Sequence, residues 1–173
     1  MKKRLLFIAI PITALMISGC QKKIPSPDEN GNAGGASSSV TTTEVTGGID
    51  TNGKYTGSDG VSASGIKLIY FATDKYSLDS DQIHRLISDM PKIKNLAATG
   101  KIRIEGNCDE FGTDEYNHAL GLKRAKAVKQ ILLSNGIPAS SINIVSYGES
   151  NPVCTGSTPA CHAKNRRAEI NAL

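Results

Sequence analysis

The chain contains no tryptophan, and aromatic residues of all kinds make up 5% of its 173 positions. Proteins that grip nucleic acid need a concentrated basic patch, often with aromatic stacking platforms. The excess of positive charge is lacking as well. Of 20 basic residues set against 16 acidic ones, Lys2, Lys3 and Arg4 stand together at the N-terminus, and without them the balance falls to about +1. No nucleic-acid partner is therefore expected. A long hydrophobic run is also absent: the stretch from Leu5 to Ile17 is interrupted by Pro11 and Thr13, and it falls short of the roughly 20 residues that a bilayer-crossing helix needs.

What stands at the N-terminus instead is a short basic start, an apolar run and a small-residue end, Ile17-Ser18-Gly19-Cys20, which is the pattern of a signal peptide over residues 1–19. A hydrophobic residue and two small residues before a cysteine resemble the lipobox of bacterial lipoproteins. That resemblance implies acylation of Cys20, which becomes the new N-terminus, and delivery to the outer membrane, since Gln21 and not an acidic residue follows. Each buried methylene contributes about 0.8 kcal/mol, so several acyl chains hold a protein at a membrane where one holds it marginally.

Between Gln21 and Ser64, 21 of 44 residues are Gly, Ser or Thr, and Tyr55 is the only aromatic. Such a composition buries too little apolar surface to offset its ordering entropy. Residues 20–64 are expected to be the acylated cysteine and a flexible tether reaching about 35 to 40 Å on average.

From Gly65 onward the patterns are those of one folded domain, 65–173. Ile66 to Phe71 is a β-prone apolar run and reads as a first strand. Asp79-Ser80-Asp81-Gln82 fits a capping box, and Ile83, Leu86, Ile87, Met90 and Ile93 follow at helical spacing. Pro91 should kink that helix or end its first part. Lys101 to Glu105 alternates as a half-buried strand does. A second helix should start at Thr113, bury Leu120, Ala127, Val128, Ile131 and Leu132, and stop at Asn135-Gly136. Ile142–Tyr147 and Arg166–Ala172 complete the strands. The order β-α-β-α-β-β implies an α/β two-layer sandwich with a mixed sheet packed against helices on one face, its last strand entering antiparallel without a crossover helix.

The segment EGNCDEFGTDEYNHALGLKRA, Glu105 to Ala125, carries the chemistry. Asp109 lies in a turn just past the second strand, and Arg124 lies fifteen residues later on the helix. Asn117 and Arg124 are two helical turns apart and share a face. A ligand bearing an ammonium and a carboxylate on one carbon suits this set, with two parallel hydrogen bonds from Arg124 to the carboxylate and Asp109 accepting from the ammonium. Taken alone, an Asp and an Arg at this spacing more often form a structural salt bridge. Without ligand the two can pair with each other.

With the later YGESNP and KNRRA runs, this segment resembles the OmpA-like peptidoglycan-binding domain, and within that family the peptidoglycan-associated lipoproteins, over residues 66 to 173. Gly112, Tyr116, Asn117, Leu120, Ala125 and Val128 fit the surrounding pattern too. The resemblance implies that Asp109 and Arg124 hold the free zwitterionic end of meso-diaminopimelate in the stem peptide, with Phe71, Asn117, Leu120 and Arg166 around it. Where the family has Asp or Asn after Phe71, this chain has Ala72, a lost contact of about 1.5 to 3 kcal/mol unless Asp74 or a water substitutes. Alternation sends Arg166 and Arg167 to opposite faces, so at most one reaches the ligand, and Arg166 is favoured. Partners implied in the same way are the outer membrane through the lipid anchor, TolB competing for the cleft and TolA pulling during division. No cofactor is implied.

Cys154 and Cys161 can form a disulfide in an exported chain; a reduced pair is the alternative, and a metal site is disfavoured because His162 alone stands near them. Cys108 reads as a small buried thiol, against a nucleophile with His84 or His118. Two other functional readings are an OmpA-like lipoprotein of another envelope complex, such as a motor or secretion apparatus, and a cell-wall hydrolase. The latter lacks a recognisable pair of catalytic carboxylates, a Cys-His pair or a metal triad.

Overall fold

The computed structural model describes residues 48–57 and 60–173. The expected signal peptide, Cys20 and most of the tether lie outside them. The described elements are β1 (Ile69–Tyr70), α1 (Ser80–Ser88), α2 (Met90–Thr99), β2 (Ile102–Asn107), α3 (Asp114–Ser134), a 3-10 turn (Ala139–Ser141), β3 (Ile142–Gly148), α4 (Pro159–Asn165) and β4 (Arg167–Ala172). The sheet runs β1-β4-β2-β3. β2 and β3 are parallel, and β4 is antiparallel to both β1 and β2. This is the mixed-sheet α/β architecture that the patterns imply.

The apolar run of the first strand is buried from Ile66 to Phe71 except at Lys67, yet only two residues pair as strand. Side chains and a loop take the backbone donors that a longer ladder would use. Asp89 Oδ2 accepts from the Lys67 N–H at 2.7 Å, Gln82 Oε1 accepts from the Tyr70 N–H at 2.8 Å, and the Gly60 carbonyl accepts from the Leu68 N–H at 3.1 Å. These contacts also cover a sheet edge that would otherwise be open to pairing.

Asp79 caps α1 by accepting from the Gln82 N–H at 3.0 Å, but Gln82 turns to β1 and does not complete a reciprocal box. Gln82 is accordingly buried, while Ile83 is half-buried and Ile87 exposed, a departure from the expected apolar stripe. The helix breaks at Asp89, and Pro91 opens α2, where its missing N–H is unneeded. α3 has the expected ends, Thr113 as N-cap and Asn135-Gly136 as stop.

Pleating divides β1 and its flanks between two cores. Ile69 and Phe71 join the main core with Leu86, Met90 and Ile93 of the first helices, Ile102 and Ile104 of β2, Val128 and Leu132 of α3 and Ile170 of β4. Leu68 and Tyr70 join a small second cluster with Tyr55 and Ala163. Two expectations are corrected there. A short helix, α4, precedes the last strand, and the region expected to be tether already packs before residue 65: Tyr55, Lys54 and Ser62 are all buried.

α3 crosses β2 at a pair of glycines. A Cβ on Gly106 would lie 1.9 Å from the Gly121 carbonyl oxygen, and a Cβ on Gly121 would lie 2.3 Å from Ser146 Oγ. This close approach, with an irregularity in the β2–β3 register at Gly106/Asn107, leads directly into Cys108 and Asp109.

Candidate functional site

The end of β2, the N-terminal half of α3 and the start of β4 converge on one cluster of charge. Asp109 is buried, and its Oδ2 accepts from Arg166 Nη1 at 2.5 Å. Arg166 also donates through Nη2 to the Gly53 carbonyl and through Nε to the Phe71 carbonyl at 3.4 Å. The Asp109–Arg124 pair that the spacing allows without ligand is not formed, and Asp109 pairs with Arg166 instead. Arg166, expected to open the last strand, instead ends α4 and meets Asp109, while Arg167 opens β4 and turns to Glu169 and the Asn151 carbonyl.

Arg124 is 0% exposed, and among the described residues no carboxylate lies within ion-pair distance of it. Main-chain oxygens hold it: Nε donates to Lys75 at 2.9 Å, Nη1 to Asn107 at 2.7 Å and Nη2 to Ala72 at 3.5 Å, while Nη1 also reaches Cys108 Sγ at 3.3 Å. Its guanidinium carbon stands 5.2 Å from the centre of the Phe71 ring. Burial lowers the pKa of Arg124, and the nearby Cys108 and Asp109 work against that shift. Burial likewise pushes the Cys108 thiol up, with Arg124 opposing. Cys108 is the small buried thiol of the sequence reading, bonded to the Asn117 carbonyl at 3.3 Å.

Asn117 Nδ2 donates to the carbonyls of Asp109 and Phe111 and to Glu149 Oε2. Its Oδ1 is buried and accepts from no described residue. The loop over Arg124 carries Ala72 and Asp74. Asp74 has a positive φ of 56° and accepts from the Tyr116 hydroxyl, a bond that raises the Tyr116 pKa.

Asp109 and Arg166 face a cavity of about 290 Å³ lined also by Ile49, Gly53, Thr73, Phe111, Ser157, Pro159 and His162. Phe71, Asn117, Leu120 and Arg124 are buried and do not line it. A second cavity, of about 480 Å³, is bounded by Ala72, Lys75, Lys54 and Asp79. The disulfide Cys154–Cys161 ties the loop that leads into α4 beside the first cavity. Sequence reasoning missed Phe111, His162, Gly53 and Ile49. Phe111 sits inside the quoted motif, 60% exposed and edge-on to His162 at 4.8 Å, and an exposed Phe in such a motif was a usable signal.

Residues 70–166 match the OmpA family. The chain is 43% identical over 102 residues to the peptidoglycan-associated lipoprotein of Pasteurella multocida, covering 59% of this chain and 67% of that one. Against the Haemophilus influenzae relative of the same name the match spans 66% of the relative's length. With that of Pseudomonas aeruginosa it is 33% identical over 174 residues, covering 95% and 94% of the two chains. The crystal structure of the peptidoglycan-associated lipoprotein from Burkholderia pseudomallei superposes with a TM-score of 0.56 and 39% identity, over 60% of this chain and 86% of that one. The C-terminal domain of Helicobacter pylori MotB has the same fold, with a TM-score of 0.52 at 21% identity over 62% of this chain and 84% of that one.

Proposed function

The chain belongs to the OmpA family and, within it, to the peptidoglycan-associated lipoproteins, and from that premise we propose that it binds peptidoglycan non-covalently through the free zwitterionic end of diaminopimelate in the stem peptide. The observation that carries the reading is a charge imbalance. Two buried guanidinium groups, Arg124 and Arg166, stand near one buried carboxylate, Asp109, which pairs with Arg166, while Arg124 donates only to neutral oxygens and a thiol. A ligand carboxylate supplies the missing negative charge. The nitrogen with donor capacity left is Arg124 Nη2, whose contact to the Ala72 carbonyl is long, and loop residues Thr73 to Ser77 are all exposed. The carboxylate takes the place of that carbonyl as the loop shifts. Asp109 lines the cavity and pairs with Arg166 through Oδ2, so its other oxygen, Oδ1, is the acceptor for the ligand ammonium in this reading.

In this reading the protein is anchored by an acylated Cys20 in the outer membrane, its domain faces the periplasm, and it ties that membrane to the cell wall within a Tol-Pal system, with TolB and TolA as partners, supporting envelope integrity and division. It is a binder and not an enzyme. The family name and the cluster support the binding; the partners and the anchor rest on family membership and on the leader. Co-sedimentation with purified sacculi tests it: wild type should pellet with the wall and Asp109→Asn should stay in solution. Release of soluble muropeptides would overturn the non-enzymatic reading.

A further inference from the structure

The segment ahead of the OmpA match, from Gly48 to Thr56, is a closed hairpin lying on the site. Ile49 and Tyr55 bridge antiparallel. Asp50 organises the turn, its Oδ1 accepting from the N–H groups of Asn52 and Lys54 at 2.9 Å and its carbonyl from the Gly53 N–H at 2.9 Å. Gly53 adopts a φ of 75°, the left-handed region that favours glycine.

Two anchors hold this hairpin down. Tyr55 is 1% exposed, in edge contact with Tyr70 at 4.8 Å and packed with Leu68 and Ala163. Lys54, also buried, donates to Asp79 at the start of α1. Between the anchors the hairpin touches the binding groups themselves. The Gly53 carbonyl accepts from Arg166 Nη2, the Asn52 carbonyl accepts from the Thr73 N–H at 3.3 Å, and Ile49 and Gly53 form one wall of the cavity that Asp109 and Arg166 face.

We propose that the Gly48–Thr56 hairpin is a working part of the ligand site: its Gly53 carbonyl positions Arg166 against Asp109, and its Ile49 side supplies a wall of the ligand cavity. This rests on the reading above that the cluster binds the stem-peptide zwitterion. The physical reason is that Arg166 has several rotatable bonds and three acceptors in reach. Removing the Gly53 acceptor leaves the guanidinium held by the Asp109 carboxylate and a long bond to Phe71. It then neutralises Asp109 more fully and competes with the ligand ammonium. With Gly53 in place, part of the guanidinium is engaged elsewhere and Asp109 keeps an oxygen for the ligand.

Gly53→Ala is the direct perturbation, because a Cβ there would lie 2.6 Å from Thr73 Oγ1 and 3.5 Å from Arg166 Nη2 in a backbone conformation that alanine resists. Tyr55→Ser releases the anchor. Ser62→Ala is the control: its hydroxyl donates to the Ile170 carbonyl at 2.6 Å in the same N-terminal region, away from Arg166. The mature full-length chain and these variants are titrated with a diaminopimelate-containing stem peptide. In parallel, hydrogen exchange of the Arg166 Nε–H is followed by NMR without ligand.

Gly53→Ala and Tyr55→Ser should bind about tenfold more weakly, roughly the loss of one charge-assisted hydrogen bond, and their Arg166 Nε–H should exchange faster. Ser62→Ala should lose thermal stability and keep its affinity. Folded hairpin variants that bind as wild type with unchanged Arg166 exchange overturn the proposal, as does an equal loss of affinity in Ser62→Ala. If wild type itself fails to bind the peptide, the binding reading falls, and the Arg166 exchange alone then decides whether the hairpin positions that side chain.

Discussion

Arg124→Lys separates recognition from support, because it keeps the charge and removes the fork. The guanidinium spans three main-chain acceptors, Lys75 at 2.9 Å, Asn107 at 2.7 Å and Ala72 at 3.5 Å. A compact ammonium reaches one or two of them. Each hydrogen bond to a charged group is worth about 1.5 to 3 kcal/mol, so losing one or two should cost about 1.5 to 6 kcal/mol of folding stability. In a domain of this size that lowers the melting temperature by roughly 6 to 24 °C. The variant should remain folded at 25 °C, since typical domains start with about 5 to 15 kcal/mol. Recognition should fall separately. A lysine, shorter and without the fork, does not place a donor where Nη2 stands, and the stem-peptide affinity should drop about 10- to 100-fold. Scanning calorimetry gives the first quantity and isothermal titration at 15 °C the second. A variant that melts lower but binds within twofold of wild type would refute the reasoning and leave Arg124 as a prop beneath the loop.

Asp109→Asn leaves the size of the side chain and removes its charge, so stem-peptide affinity should fall by about 2 to 5 kcal/mol, read by the same titration; retention of wild-type affinity would exclude Asp109 from the site. For Asp79, burial alone would raise the carboxyl pKa, but the hydrogen bonds from Lys54 and the Gln82 N–H outweigh it and hold it below the ordinary value of 3.8. A depressed folded-state value means stability present above the unfolded pKa and lost as pH falls through the folded one. The melting temperatures of wild type and Asp79→Asn should therefore differ at pH 5 and converge on acidification below about pH 4. Reducing Cys154–Cys161, which closes a loop with a sequence separation of 7, should lower stability by about 2 to 3 kcal/mol in urea titrations. Gly106→Ala forces a Cβ against the Gly121 carbonyl and should destabilise by about 3 kcal/mol or more, where an unchanged urea midpoint would mean that the helix–sheet contact is looser than described.

The periodic elements were legible because hydrophobic spacing reports burial directly: α3, with Thr113 and Asn135-Gly136 at its ends, is the clearest case. The length of β1 was not legible, since spacing does not say whether a ladder or side chains such as Gln82 and Asp89 take the backbone donors. α4 was missed although Thr158-Pro159 is a fair N-cap and first-turn pair, because seven residues hold too little periodicity to register. Composition misled at the hairpin. Averaged over a Gly-, Ser- and Thr-rich stretch, the single Tyr55 that anchors it was diluted. At the site, the motif singled out Asp109, Asn117 and Arg124, and alternation allowed only one of Arg166 and Arg167 to join them, with Arg166 the one favoured. The pairing of Asp109 with Arg166 spans 57 residues and is decided by where β4 enters the sheet, which no local pattern encodes.

The central claim, recognition of a zwitterion by the Asp109–Arg124–Arg166 cluster, is tested most directly by titrating the mature chain with two stem peptides that differ only in carrying diaminopimelate or lysine. The account predicts saturable binding of the diaminopimelate peptide and loss of binding with the lysine peptide, which has the ammonium but not the carboxylate beside it. Equal affinity for both, or binding of neither, would contradict it.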